Sequence, residues 1–365
     1  MELQILKRFF LGLFSLFLIF SAQAQEIKRK KLKKTLLPVP TIGSSPETGF
    51  YAGAVATLDM VPADDSTARH SLISAEAFYT ERKQFIASAS WDITNSNRDF
   101  ILFGENSWMK FSEFFWGIGG NTAEENELLY GTYRLELENG FYKRIGENKF
   151  LGLDQQLQSI YSLQLPEASE KNQSTLKQIT SGITSGFGLG YIFDSRTTLL
   201  NPKPGESMFM VHGLYFGKVF GSDFEFPHVH ADARIYLPFR WKSILALQAT
   251  TELFGKNAPY LMNAQLGGSM MMRGFYQGRF RDNNQVTAQA ELRMPIWRWI
   301  GATTFASTGD VFSFQNRERN GKLKSAAGLG LRIRVDKKEK TNLRFDYAIT
   351  SDRNTGFYIS FGEAF

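Results

Sequence analysis

The chain has no cysteine in 365 residues, which excludes disulfide staples, thiolate chemistry and a lipid-modified amino-terminal cysteine. Long apolar runs are missing too. After Phe20 no stretch approaches the roughly 18 uninterrupted apolar residues of a membrane-spanning helix. A strong charge excess is also absent: the formal net charge is +6, which gives no argument for nucleic acid as a partner.

What is present begins at the amino terminus. Lys7 and Arg8 precede an apolar run from Phe9 to Phe20, and Ala22-Gln23-Ala24 supplies a small-x-small cleavage pattern. The run is too short to cross a bilayer as a helix, so residues 1–24 read as a signal peptide and the mature chain is expected to start at Gln25. Residues 25–47 read as a basic periplasmic segment, EIKRKKLKK followed by TLLPVPTIGSSPE, which is either a solvated linker or a contact for anionic headgroups or an acidic periplasmic partner. The barrel described below is expected to fill 48–365, which leaves no room for a separate soluble domain.

Aromatic residues are abundant, with 33 Phe and 13 Tyr, and glycine numbers 32. That combination suits a β-barrel with aromatic girdles, although a soluble secreted protein would also fit it. Periodicity separates the two. In QFIASASWDI, Phe85, Ala87, Ala89, Trp91 and Ile93 share one face of a strand, while Ser88, Ser90 and Asp92 share the other. The same alternation sets Val229, Ala231, Ala233, Ile235 and Leu237 against His228, His230, Asp232 and Arg234. It recurs over 286–294, with Glu291 and Arg293 on the polar face, and over 327–336, with Arg332 and Arg334 there. A soluble sandwich would turn its polar face outward and need an apolar core. Strands of bilayer-crossing length that share a charged face instead predict an all-β, transmembrane antiparallel barrel with lipid outside and charge in the lumen.

Sixteen strands are predicted, near 48–58, 71–80, 84–93, 98–110, 113–120, 129–142, 149–160, 182–193, 206–217, 228–238, 243–254, 284–295, 301–312, 324–336, 341–350 and 356–365. If the last ends at the periplasm, the short turns 81–83, 237–242, 295–299 and 336–340 fall on that side. The longer connections 61–70, 161–178, 255–283 and 314–322 fall outside, the usual outer-membrane asymmetry. The segment 194–207 is a long periplasmic exception.

Several segments then resemble one family: MRGF (272–275) with LGG before it and GRFRD after it, AELRMP (290–295), IFDSRTTLLNPKPGE (192–206), DARIYLP (232–238) and a last strand closing on FGEAF. Together they resemble the barrel of the BamA/TamA family of outer-membrane assembly factors, also called bacterial surface antigens, here without the periplasmic POTRA repeats. The resemblance implies that the long loop folds into the lumen and that its arginine pairs with acids on the wall. Alternation independently points Glu291 inward, so the expected lock is Arg273 with Glu291, beside Gly274 and Phe275. An arginine fork on a carboxylate fixes angle as well as distance. The family's second acid would correspond to Ser307 here, which is no acid, and Asp310 lies on the opposite face by parity. Phe357, Ile359, Phe361 and Phe365 are expected to be the barrel signal of the last strand.

Such a lock either only places the loop or takes part in a working cycle. Other patterns carry less. GFGLGY (186–191) lacks the strand-to-helix turn of a dinucleotide site, and its glycines, Gly186, Gly188 and Gly190 on one strand face, fit better as room for the tucked loop or as a bend in the wall. His228 and His230 share a face without an evident third metal ligand. Asp223 with His212 or His228 has no spacing that supports a hydrolytic triad, so no enzyme, cofactor or metal is expected. The resemblance implies insertion or translocation of outer-membrane or surface proteins, with client proteins or a periplasmic partner, through a weak seam between the first and last strands, where Gly53 and Gly362 would loosen pairing. The alternative is a passive or gated pore, because sixteen strands enclose a lumen wide enough for water unless loops fill it.

Overall fold

The computed structural model describes residues 32–62, 69–167, 176–199, 201–335 and 342–365. The signal peptide expected at 1–24 lies outside them. The wall consists of β1 (Leu32–Ser45), β2 (Gly49–Pro62), β3 (Ser71–Thr80), β4 (Phe85–Thr94), β5 (Phe100–Phe115), β6 (Leu128–Gly146), β7 (Lys149–Gln164), β8 (Gly182–Asp194), β9 (Ser207–Phe216), β10 (Phe226–Pro238) and β11 (Ile244–Phe254). Within the connection that follows, β12 (Ala264–Leu266) and β13 (Phe280–Asp282) form a separate two-stranded sheet. The wall resumes with β14 (Asn284–Trp297), β15 (Ile300–Phe312), β16 (Lys324–Arg334), β17 (Asn342–Thr350) and β18 (Thr355–Phe361), which closes on β1. All neighbours are antiparallel, and the barrel has sixteen strands.

The alternation places side chains as expected. Val229, Ile235, Val286, Leu329 and Leu331 are exposed on the outer surface, whereas Asp232, Glu291, Arg293 and Arg332 are buried on the lumenal one. Aromatic side chains gather near both rims. Trp108 donates its indole N–H to Tyr161 Oη at 2.6 Å and Tyr133 stacks on Tyr161, while Trp297 and Trp299 lie 6.2 Å apart at the other end. Amphipathic rings favour those depths, where one edge is wet and the other apolar.

The predicted count of sixteen is reached by two offsetting differences. Residues 98–110 and 113–120, predicted as two strands, form the single strand β5 up to Phe115. The supposed break at Phe111-Ser112 contains no turn-forming Gly, Pro or Asn. Conversely 32–45, expected in the segment before the barrel, is β1, paired with β2 from Leu32–Pro62 to Ser45–Gly49. Its Pro38 and Pro40 read as linker residues, but proline is tolerated where its nitrogen faces away from the neighbouring ladder. Among the described residues the barrel thus begins with β1, and its seam lies between β1 and β18, not at 48–58.

These differences invert the placement of the early turns. Turn 81–83 lies at the rim that carries the 255–283 loop, here called the loop rim: Gln84, just beyond it, donates to the carbonyl of Glu47, whose carboxylate receives Gln277 N–H. The β2–β3 connection lies at the opposite, turn rim, where Arg69 binds Asp92 at 2.6 Å and Asp194 at 3.0 Å. The expected long turn after β8 is built there: Asp194 holds Arg196, and Glu206 accepts from Thr197 and from Lys203 N–H.

Candidate functional site

The connection 255–283 is the site. Its two legs are zipped by β12 and β13, Ala264 opposite Asp282 and Leu266 opposite Phe280, and its tip reaches the lumenal wall. Arg273 is 1% exposed. One guanidinium nitrogen meets Glu291 Oε2 on β14 at 2.8 Å, and the other meets Asp346 Oδ2 on β17 at 2.5 Å. The ring of Phe305 on β15 lies under the guanidinium, 3.5 Å from its carbon, a cation–π contact strengthened by exclusion of water.

The two acids are shared. Arg293 binds Glu291 Oε1 at 2.8 Å, Arg332 binds Asp346 Oδ1 at 2.6 Å, and Arg332 also holds Glu363 at 2.8 Å. Arg344 approaches Asp346 at 3.5 Å and donates to the Ser269 carbonyl of the loop. Buried charges survive only when paired, and here every one is paired, by groups on β14, β16 and β17 and by Glu363 just after β18.

Gly274 follows with φ +108°, a region that side-chain-bearing residues rarely adopt. An added Cβ would lie 2.8 Å from Thr350 Cγ2. Its N–H donates to Tyr358 Oη on β18 at 2.9 Å. Gly274→Ala is expected to lower barrel stability by about 2 kcal/mol through backbone strain and that contact, read as the temperature at which folded and heated species separate on a gel. Phe275 is fully buried among Leu266, Met272, Phe280, Val311 and Ala326. Two of the three consecutive methionines differ sharply: Met272 is buried and Met270 is 52% exposed.

On the return leg the loop crosses to the other side of the ring. Arg281, also 1% exposed, binds Glu113 Oε2 on β5 at 2.7 Å. Glu113 additionally takes Arg134 and the phenol of Tyr130. Gly119 N–H bonds the Arg281 carbonyl at 2.7 Å, and Arg279 donates to Thr122 Oγ1 at 2.9 Å. Tyr276 packs edge-on against Phe114 and Trp116, and burial pushes its phenol up to about 12. The loop is therefore a strap tied to β14 and β17 at one end and to β5 at the other, nearly opposite in ring order.

The strap also holds both flanks of the seam. Tyr358 on β18 takes Gly274 N–H, and Glu47 in the β1–β2 turn takes Gln277 N–H at 2.7 Å. Between β1 and β18 the register pair is Ser44 with Ile359, supplemented by Tyr51 Oη donating to the Ile359 carbonyl. The β17–β18 ladder, by contrast, runs from Leu343–Phe361 to Ile349–Thr355.

Among the sequence candidates, Arg273, Gly274, Phe275 and Glu291 come together. Ser307 faces the lumen with its hydroxyl buried and unpartnered; the second acid is Asp346 instead. Asp310 binds Lys324 at 2.8 Å. Gly53 lies between Thr41 and Phe78, inside the wall and away from the seam. Phe357, Ile359 and Phe361 alternate outward on β18, but Phe365 does not extend that row. Gly362, at φ +79°, turns the chain inward, and Phe365 is buried with Tyr236 and Ala246. Asp346, Arg344, Glu113 and Arg281 were missed, although the alternation of β17 and β5 puts all three wall residues on the lumenal face. Gly190 faces inward against Tyr142 and Asp154, which leave no space for a side chain. His228 and His230 share the Glu252 carboxylate, with the His212 ring 5.1 Å from that of His230. Among the described residues no group of three or more His, Asp or Glu is arranged to hold a metal ion.

Known proteins place this geometry. The Omp85 superfamily domain matches residues 72–365. Comparison with curated proteins returns no match. Among solved structures, BamA from Haemophilus ducreyi lacking POTRA domains 1–3 is similar over 92% of this chain and 70% of its own, with TM-score 0.56 and 16% identity. CdiB from Acinetobacter baumannii is similar over 91% of this chain and 60% of its own, with TM-score 0.56 and 13% identity. At such identities the structures speak for the fold, a sixteen-strand barrel of the BamA type, and the domain match speaks for descent. The chain belongs to the Omp85 superfamily.

Proposed function

We propose that this barrel inserts or translocates outer-membrane or surface proteins by lending the open edge of β1 to an incoming β-segment. The family and the BamA-type fold indicate the bacterial outer membrane, and in this reading the loop rim faces outward. The observation that carries it is the seam: β1 is fully paired with β2 yet meets β18 at Ser44–Ile359. Unpaired strand edges recruit other strands by main-chain hydrogen bonds, with alternate side chains giving selectivity. Ile42 on this edge is 69% exposed, as a lipid-facing residue beside an incoming strand would be.

A photocrosslinking residue in place of Ile42 is expected to capture newly exported outer-membrane proteins in cells, whereas the same residue in place of Leu329, equally exposed on the outer wall, captures none. Equal labelling at both places would sink the proposal. In planar bilayers the strap predicts a mostly closed, flickering channel. Large steady conductance would favour a diffusion pore instead.

A further inference from the structure

We propose that Pro38 and Pro40 keep residues 363–365 of this same chain off the edge of β1, and so leave that stretch of the edge open. The hydrogen-bond parity of the flanking strands shows which way each residue of β1 faces. Glu81 N–H bonds the Phe50 carbonyl at 2.7 Å, so even-numbered residues of β2 serve β3 and odd-numbered ones serve β1. Through the pairs Ser45–Gly49 and Gly43–Tyr51, the odd residues of β1 are the ones bonded to β2. Even residues, Pro38, Pro40, Ile42 and Ser44, therefore point their backbone at the seam. On the other flank, Gly362 N–H bonds the Asn342 carbonyl at 2.8 Å, so even residues of β18 serve β17. Ile359 is left to face Ser44, as observed.

Continuing that register would set Ile42 against Phe361, Pro40 against Glu363 and Pro38 against Phe365. The last two pairings fall on residues with no N–H, whose ring carbon occupies the space where the donor hydrogen would point. Glu363 and Phe365 would each bring a carbonyl to a position without a donor. The pairing with β1 is Ser44–Ile359, and beyond it β18 ends at Phe361, the chain turns at Gly362 short of the first proline position, and it finds other partners inside the lumen. Glu363 binds Arg332 at 2.8 Å and accepts from Asn342 at 2.6 Å. The Phe365 carbonyl takes Arg293 Nη2 at 2.8 Å, and the ring lies 5.2 Å from that guanidinium. Thus the same arginines that neutralise Glu291 and Asp346 also retain the residues withdrawn from the seam. The prolines act as edge protection against this chain's own strand. That the vacated edge then serves another chain rests on the function proposed above; the exclusion of 363–365 does not.

Because the chain has no native cysteine, an introduced pair gives a clean reporter. In the continued register Val39 would face Ala364, whereas Ala364 now packs with Tyr236 and Ala246 on β10 and β11. The full-length protein carrying Val39→Cys and Ala364→Cys is oxidised in detergent, with and without Pro38→Thr and Pro40→Thr. Two restored ladder hydrogen bonds, each a factor of about five, predict a rise in disulfide yield of roughly tenfold or more in the threonine background. The single Pro38→Ala and Pro40→Ala variants, which also restore an N–H, should give intermediate yields and cover the case in which the double variant does not fold. Folded barrels, judged by heat-modifiable mobility, whose disulfide yield is the same in every background would overturn the proposal. The reporter needs no client, so it stands even if no protein is ever captured at Ile42. If capture occurs, it should fall in the threonine background as β18 zips onto the edge.

Discussion

Arg273→Ala is expected to lower the unfolding temperature of the barrel and to open the 255–283 loop to protease. The guanidinium forms both ties between the loop tip and the acids of β14 and β17, and removing one partner of a buried pair costs about 3–5 kcal/mol when the other charge is left alone. Here the acids keep other cations, Arg293 on Glu291 and Arg332 on Asp346. The loss should therefore sit near the lower end, about 3 kcal/mol. Arg273→Lys keeps the charge but has no fork to span two carboxylates, so it should fall between wild type and alanine. Heat-modifiable mobility and trypsin cleavage at Arg279 and Arg281 provide the readouts. Unchanged melting together with an uncut loop would remove the lock.

A larger effect is expected at the opposite tie. Glu113→Ala leaves Arg281 and Arg134, both buried, with no ion-paired carboxylate among the described residues, and takes the acceptor from Tyr130. Two like charges facing each other without an anion should cost about 5 kcal/mol, the upper end for a broken buried pair. Glu113→Gln retains an acceptor oxygen and should recover part of it. Melting of the two variants in the same detergent decides the order: if Glu113→Ala melts no lower than Arg273→Ala, the return leg is not an anchor of comparable weight. Because both residues tie one strap, the double variant should lose less than the sum of the single losses.

Much of the wall was legible in advance for one reason. A side-chain period of two is a local property, so Val229, Glu291 and Arg332 declared their faces without reference to any neighbour. The Arg273–Glu291 pair was legible for the same reason, joined to the family resemblance. Asp346 was not, because parity says which face a residue occupies but not which strand lies beside a loop that returns across the lumen. The second tie failed for another cause. With β5 cut in two at Phe111-Ser112, Glu113 fell at the start of a separate strand and its inward direction went unused.

The seam shows the division most clearly. Alternating side chains established by themselves that this is a β-barrel with charge inside and hydrocarbon outside, since each strand carries that pattern in its own residues. Where the ring closes, and so which rim each early turn joins, only the tertiary structure decided. Closure depends on pairing between residues some three hundred positions apart, and on two prolines whose backbone direction is set by the strand next to them.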